Sequence, residues 1–454
     1  MKIKISAFVY IIALLIVSCS SNNNKEDIDM ADVKLMTLDP GHFHAALVQK
    51  SMYSNVSPEV FVYAPEGPDL IGHLARIEGF NTRPDQATNW KETVYTGSDF
   101  FEKMIEEKPG NVVVLSGNNA KKTEYIYKAI ETGLNILADK PMAINSDNFL
   151  LLEKAFELAR EKGVLLYDVM TERHEINTML QKALSQMPEL FGELIKGSPE
   201  EPAVTKESVH HFFKYVSGSA LKRPAWFFDT KQQGEGIVDV TTHLVDLVQW
   251  ECYPEAFLKK SDIEIVSARR WPTIMNPEEF NRVTALDAYP DYLLPHVVDG
   301  NLNVFANGAL VYKIKDTYAK VVVEWKYQAP EGTGDTHYSI MRGTKCDLII
   351  QQGEKESYKP TLYVQSHGDD LTEVLPASLA NLLWESLSSE DLGEGLWKLN
   401  VPDKYKVGHE AHFGQVTEKY LEYLKEGKLP DWEVPNMIVK YYTTTEALKM
   451  AMKK

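Results

Sequence analysis

Short apolar strand segments alternate with helical segments through the first 170 residues, and few folds are compatible with this order. The strand segments are 33–38, 59–64, 111–115, 135–138 and 164–168. The helical segments between and after them are 45–50, 100–107, 121–132 and 149–162, and glycines suited to helix C-caps follow the last two. Because parallel strands are joined by helical crossovers, we predict a doubly wound parallel sheet.

From about Gly192 the pattern changes to longer strands in which apolar and polar residues alternate, as in an antiparallel sheet with one solvated face. These segments are 262–269, 299–305, 310–316, 320–327, 337–342 and 346–351, and helices follow at 409–426 and 439–453. The predicted fold class is therefore α/β, with two parts. A Rossmann-like domain covers 32–170, and an α+β domain with a large, open, mostly antiparallel sheet covers 171–454.

The first 19 residues have the pattern of an export signal. Lys2 and Lys4 precede an apolar run at 8–17 that is too short to span a bilayer, and the run ends in Ser18-Cys19. This ending resembles a bacterial lipoprotein signal, which implies that Cys19 is lipidated and that 20–31 is a polar tether. An ordinary secretory signal that contains a cysteine is the alternative. We expect an exported protein whose lipid anchor is its only contact with the membrane.

The composition excludes some partners. The formal net charge is −17, and such an acidic surface argues against nucleic acid as a partner. Cys252 and Cys346 could pair, but we expect two free thiols. His409 and His412 lie one helical turn apart without a recognisable third ligand, and we expect no metal site.

The turn after the first strand, residues 39–44, lies where a dinucleotide fold places pyrophosphate. Of the pattern Gly-x-Gly-x-x-Gly it keeps only Gly41; Asp39 and His44 replace the outer glycines. His42 and His44 could donate hydrogen bonds to phosphate instead. A turn in a fold that has lost its cofactor is the alternative. Glu66, after the second strand, is the candidate for binding the adenosine ribose; since no Arg adjoins it, NAD is favoured over NADP.

Two further motifs carry chemistry. Asp139-Lys140-Pro141 follows a predicted strand, and there the ammonium of Lys140 could hold a substrate hydroxyl. Residues 234–246 read as a helix, which would place Asp239 and His243 on one face. His243 is the candidate general acid and base, while Asp239 would bind a neighbouring hydroxyl or orient the histidine. The alternative interpretations are that Lys140 is an ordinary surface lysine and that His243 is a histidine packed in the core.

In this order, these motifs resemble the Gfo/Idh/MocA family of nicotinamide-dependent sugar oxidoreductases. The resemblance implies Lys140, Asp239 and His243 as catalytic residues and a tightly held NAD, with NADP still open. The implied cofactor contacts are Gly41, His42, Phe43, His44, Glu66, Ser116, Asn118, Asp139 and Lys140. Arg173 and His174 would contact substrate. His210-His211 and the cluster that begins at Trp226 suggest an aromatic wall of the carbohydrate site, and core packing of Trp226 is the alternative.

The resulting prediction is an exported NAD(P)-dependent oxidoreductase that acts on a sugar or glycoside. Free NAD is not expected outside the cytoplasm, so the cofactor would be recycled within each turnover. Two alternatives stay open. One is redox-neutral cleavage of a glycoside through a keto intermediate, and the other is a carbohydrate-binding protein without cofactor. A homo-oligomer formed through the open sheet is expected from the same resemblance.

Overall fold

The structure is a computed structural model and describes residues 33–216 and 219–453. The export signal, Cys19 and the tether lie outside these residues. Within them, no helix combines the length and the apolar character needed to cross a membrane.

The N-terminal half is built on a six-stranded parallel sheet. Its strands are β1 (Leu35–Leu38), β2 (Glu59–Tyr63), β3 (Lys91–Tyr95), β4 (Val112–Leu115), β5 (Asn135–Asp139) and β6 (Leu166–Val169). Its helices are α1 (His44–Leu47), α2 (Pro68–Thr82), α3 (Phe100–Glu107), α4 (Lys122–Glu131) and α5 (Ser146–Lys162). The strand order is β3-β2-β1-β4-β5-β6, with every pair parallel. The predicted doubly wound sheet is confirmed, and its order reverses between β1 and β4, where such folds bind ligands.

Three elements of this half differ from expectation. Helix α1 is a single turn, shorter than the predicted 45–50. Helix α2 and strand β3 were not predicted. Two internal glycines, Gly72 and Gly79, interrupt the helical pattern of α2. No residue of the edge strand β3 is fully buried, so it lacks an apolar run.

The second half is built on a ten-stranded, mostly antiparallel sheet. Its helices are α6 (Ile176–Ser185), α7 (Thr230–Gln233), α8 (Thr241–Cys252), α9 (Pro277–Thr284), α10 (Val374–Ala380), α11 (His409–Glu426) and α12 (Glu433–Met452). The strands, with the separate hairpin β8–β9, are β7 (Val204–Phe213), β8 (Tyr215–Val216), β9 (Ser219–Ala220), β10 (Ile263–Met275), β11 (Val297–Val298), β12 (Asn301–Ile314), β13 (Thr317–Gln328), β14 (Thr336–Arg342), β15 (Cys346–Gln351), β16 (Thr361–Ser366), β17 (Ser388–Asp391) and β18 (Leu396–Asn400).

The large sheet has the order β10-β12-β13-β7-β14-β15-β16-β18-β17, with β11 beside β12. Only the pair β7–β13 is parallel. The two strands predicted at 299–305 and 310–316 are one strand, β12. Gly308 lies within this continuous strand and does not break it. A side chain at this position would meet Ile237 at 2.6 Å. The glycine instead lets the segment before α8 lie against the sheet.

The two C-terminal helices return to the N-terminal half. Phe413, Val416 and Tyr420 of α11 belong to the core of the parallel sheet. Helix α12 contributes Tyr441 to that core and Ala447 to the core of the large sheet. The end of the chain therefore packs against both sheets and fixes one relative to the other.

Candidate active site

A cavity of about 1000 Å³ lies at the carboxyl edge of the parallel sheet. Its walls come from the loops after β1 and β5, from the start of α8, from the large sheet and from α11. Among the lining residues are His42, His44, Lys140, Asp239, His243, His210, Trp325, His337, His409 and His412. The structure thus brings the predicted catalytic residues together in one cavity of the size that holds a small molecule.

Lys140 and Asp239 form a buried ion pair in this cavity. The Nζ of Lys140 lies 2.6 Å from Oδ1 of Asp239, and Nε2 of Gln233 donates to Oδ2 at 3.1 Å. Burial alone would raise the pKa of the Asp239 carboxyl, but the charge and hydrogen bond of Lys140 keep that pKa below its usual value. The lysine therefore faces the cavity as an ammonium held in place by a carboxylate.

His243 lies in the first turn of α8, and its Nδ1 is buried without a hydrogen-bond partner in residues 33–216 and 219–453. Burial, and then the nearby charge of Lys140, lower the pKa of His243 to about 4. The imidazole is therefore neutral at pH 7. The predicted helix over 234–246 is wrong in part, since α8 begins at Thr241. Asp239 lies in the preceding turn, where its N–H donates to the carbonyl of Glu235.

Three side chains converge on one oxygen of Asp139 beside this pair. Oδ2 of Asp139 lies 2.9 Å from Nδ1 of His44, 2.9 Å from Oγ of Ser116 and 3.5 Å from Nδ1 of His42. Burial lowers the pKa of both imidazoles below the usual value. The two histidines of the first loop thus contact the carboxylate of Asp139. They do not face the space in front of Gly41, where a pyrophosphate would bind.

The phosphate end of the predicted dinucleotide site is covered. The N–H of Gly41 donates to the carbonyl of Asp39, and the N–H of His42 donates to the carbonyl of Ser116. A Cβ added at Gly41 would lie 2.9 Å from Cζ2 of Trp226. The Trp226 indole also donates to Asp69 at 2.8 Å. The indole therefore lies against the glycine, where a pyrophosphate would approach the backbone.

The other predicted cofactor residues lie around the same edge. Glu66 is exposed at the end of β2 and accepts a long hydrogen bond of 3.4 Å from the hydroxyl of Thr96. Asn118 donates to Gln232 at 2.7 Å, which ties the loop after β4 to α7. Exposed Glu66 fits the adenosine ribose of a dinucleotide, and Asn118 with the unpartnered nitrogen of His243 fits its nicotinamide end. The turn at Gly41 fits the phosphates only when the Trp226 indole leaves the glycine.

Arg173 and His174, which were expected to contact substrate, lie outside the lining of the cavity. The guanidinium of Arg173 is bound by Asp246 through two 2.7 Å bonds and by Glu433 at 2.6 Å, and Arg173 does not line the cavity. His174 does not line the cavity either. Asp246, at the end of the 234–246 motif, is thus a salt-bridge partner of Arg173.

Sequence reasoning missed other polar residues of the cavity wall. Asp335 accepts hydrogen bonds from both His210 and His211 and binds Lys214, while Glu172 lies 3.4 Å from His409. His210-His211 and His409 were visible in the sequence, but their acidic partners lie more than 120 residues away along the chain. No local pattern connects them. Cys252 and Cys346 are free thiols, as expected.

Comparisons with known proteins agree with this architecture. The family described as "Putative oxidoreductase C terminal domain" matches residues 180–452. A crystal structure described as a putative oxidoreductase from Parabacteroides merdae is 57% identical, with a TM-score of 0.91, over 93% of this chain and 98% of that chain. No curated protein matches the chain.

More distant structures share the fold. A 3-ketoreductase from Actinomadura kijaniata, solved with NADP and TDP-benzene, is 11% identical, with a TM-score of 0.55 over 92% of this chain and 98% of that chain. A biliverdin reductase from Synechocystis, solved with biliverdin and NADP⁺, is 12% identical, with a TM-score of 0.56 over 92% and 99%. The family match covers more than half of the chain, and the Parabacteroides relative covers nearly all of it. The chain therefore belongs to the family of proteins that carry this putative oxidoreductase C-terminal domain.

Proposed function

We propose that the protein is a nicotinamide-dependent oxidoreductase of the Gfo/Idh/MocA type, acting on a hydroxyl or keto group of a sugar or glycoside. The observation that carries the proposal is the convergence of Lys140, Asp239 and the unpartnered Nδ1 of His243 in one cavity. It lies at the carboxyl edge of the parallel sheet, the usual position of ligands in this architecture. The family match supports the reaction class, and the sequence resemblance supports the substrate class.

Lys140, Asp239 and His243 have different roles in this reaction. Neutral His243 accepts the proton of the substrate hydroxyl as the carbon is oxidised and returns it in the reverse direction. The ammonium of Lys140 stabilises the oxygen that becomes a carbonyl. Asp239 holds Lys140 in position through the 2.6 Å ion pair. A bound nicotinamide would supply the hydride acceptor or donor.

The proposed cofactor contacts are those that the sequence predicts, from Gly41, His42, Phe43 and His44 through Glu66, Ser116 and Asn118 to Asp139 and Lys140. The exposed carboxylate of Glu66, beside the Thr96 hydroxyl, favours ribose hydroxyls over a 2′-phosphate, and hence NAD over NADP. Another part of the cavity wall carries the stacked rings of His210 and Trp325, with centroids 5.0 Å apart, an aromatic surface suited to a sugar ring. We propose this pair, rather than Trp226, as the aromatic wall.

A second candidate function is favoured by the covered loop. If the Trp226 indole stays on Gly41, no dinucleotide reaches the cavity, and the protein binds a carbohydrate without redox chemistry. Cleavage through a keto intermediate still needs a cofactor, so retained nucleotide separates that reaction from simple binding.

The first test is chemical identification of what the protein retains. Residues 25–454 are purified, denatured and analysed by mass spectrometry. Near-stoichiometric NAD(H) or NADP(H) supports the oxidoreductase and identifies its cofactor. Empty protein that also fails to bind added NADH would refute it. With cofactor present, release of free aglycone from one glycoside alone indicates cleavage instead of net oxidation.

Export by the lipoprotein route is also a proposal, based on the sequence around Cys19. Labelled palmitate supplied to cells expressing the full chain should be incorporated into the protein and lost in Cys19→Ser. Incorporation that persists in Cys19→Ser contradicts the assignment.

A further inference from the structure

We infer that His42, His44 and Asp139 form a binding site for a divalent transition-metal ion in the wall of the cavity. The inference does not depend on the proposed hydride transfer. Two imidazoles and one carboxylate are a common donor set for zinc, iron and related ions. The candidate ligand atoms all lie within 4.8 Å of one another.

The distances fit a coordination shell. Nδ1 of His44 and Nδ1 of His42 lie 2.9 and 3.5 Å from Oδ2 of Asp139. With metal–ligand bonds of about 2.0–2.1 Å, neighbouring ligand atoms in a tetrahedral shell are roughly 3.3 Å apart. Small shifts of these side chains would therefore admit an ion between them.

The hydrogen bonding of the cluster is incomplete without an ion. Ser116 Oγ and Nδ1 of His44 already crowd onto Oδ2 of Asp139. Nδ1 of His42 is buried, lies 3.5 Å from the same oxygen and makes no hydrogen bond to any part of the chain that the structure describes. Leaving a buried polar atom without a partner is unfavourable, so a ligand for it is expected. A cation between the three atoms would satisfy the nitrogen and the carboxylate together.

The nearby lysines do not take the place of a cation at this carboxylate. Lys140 is paired with Asp239, and Lys122 donates at 3.0 Å to the backbone carbonyl of Asp139 rather than to its side chain. A second histidine pair in the same cavity differs in this respect. There His210 and His211 share Asp335 with Lys214, whose ammonium supplies the positive charge.

The site faces the space where substrate would bind. His42 and His44 line the cavity beside Lys140, so a fourth coordination position would open into it. A metal with an open position can bind a substrate hydroxyl or a water molecule. Any oxygen ligand held there would lie next to the ammonium of Lys140.

The test measures metal binding and not activity. The full chain without an affinity tag is stripped with EDTA, dialysed and titrated with Co²⁺, with visible absorption and elemental analysis as readouts. We expect one Co²⁺ per chain, displaced by Zn²⁺. In His42→Ala and His44→Gln the affinity should fall at least tenfold. His211→Ala, from the lysine-bearing cluster, is the matched control and should bind as the unaltered chain does.

Two results would overturn the inference. One is the absence of stoichiometric Co²⁺ binding in the unaltered chain, and the other is Co²⁺ binding in His42→Ala and His44→Gln that is as tight as in the unaltered chain. Circular dichroism of the metal-free variants shows whether they are folded, and His42 is partly exposed, so His42→Ala is the safer of the two. Since NADH binding is measured separately, failure of the metal site and failure of the proposed oxidoreductase can be told apart.

Discussion

The group that decides the proposed chemistry is the imidazole of His243. Among the residues that the structure describes, its Nδ1 has no hydrogen-bond partner, although the atom is buried. Burial and the ammonium of Lys140 both favour the neutral ring. A neutral, unpartnered nitrogen beside an ammonium is suited to accept a proton from a hydroxyl that the same ammonium holds.

Replacing His243 by Gln should remove this proton acceptor with little change in volume. We expect kcat to fall by about 10²- to 10⁴-fold, the usual contribution of a positioned general base, with a small change in KM. Steady-state kinetics on the sugar that proves to be the substrate measures both. His337→Gln is the control, because His337 lines the same cavity and its pKa is also lowered to about 4 by burial. Equal losses in the two variants would contradict the assignment.

The pH dependence of oxidation should report the lowered pKa of His243. A base that is protonated only near pH 4 stays active at pH 5 and 6, where an ordinary histidine is already charged. We therefore expect kcat/KM to fall on the acid side near pH 4 rather than near 6.5. A pH–rate profile between 4 and 9 measures this. An acid limb centred near 6.5 would show that another group serves as the base.

Among the elements, the turn between β1 and α1 departs most from a dinucleotide site. Helix α1 has four residues, so it offers a short N-terminus to an anion. Asp39 adds a carboxylate, whose pKa is raised to about 6 by burial and by Asp69. The contact of Trp226 with Gly41 then closes the space in front of the turn.

Trp226→Ala should open this space. We expect tighter NADH binding than in the unaltered chain, because the cofactor no longer has to displace the indole. Titration of NADH fluorescence gives the two dissociation constants. Trp271→Ala is the control, since Trp271 lies on β10 and does not line the cavity. Weaker binding in Trp226→Ala would instead mean that the indole is itself a cofactor contact.

At the scale of the whole molecule, a buried charge network joins the two halves. The ammonium of Lys440 on α12 lies 2.8 Å from Asp168 of β6 and 2.8 Å from Asp246 of α8. Arg173 continues the network from Asp246 to Glu433. Since α8 also carries His243, this network holds the proposed base at the edge of the parallel sheet.

Lys440→Met should destabilise the protein strongly, because it leaves two buried carboxylates without their shared cation. We expect a loss of about 3–5 kcal/mol in the free energy of unfolding. Urea denaturation followed by circular dichroism measures the loss. Lys449→Met, on an exposed part of the same helix, should change stability by less than about 0.5 kcal/mol. A similar small effect at Lys440 would show that the carboxylates find other partners or take up protons.

Much of the fold could be predicted because the local pattern and the final environment agree. Segment 100–107 and the 346–351 strand have the predicted bounds, and Gly163 ends α5 in the left-handed conformation, with φ of 67°. Prediction failed where tertiary packing overrides the local signal. Gly308 lies within a continuous strand, and the exposed edge strand β3 has no apolar run.

In the candidate site, too, some features could be predicted from the sequence and others could not. Lys140, Asp239 and His243 could be selected from the sequence, since their spacing and order form a motif that does not depend on the rest of the chain. The surroundings of Arg173, Trp226 and the two histidines of the first loop could not. Arg173 is bound by Asp246 and Glu433, and Trp226 by Asp69, partners that lie between 73 and 260 residues away.

The sequence by itself therefore determined the alternation of strands and helices, the parallel sheet and the motif residues, because these depend on periodicity over a few neighbouring residues. The tertiary structure alone decided which side chains meet. It placed Trp226 on Gly41, directed His42 and His44 at Asp139, and packed the C-terminal helices against both sheets. Contacts of this kind depend on the packing of distant segments and the charges they bury, which no local pattern encodes.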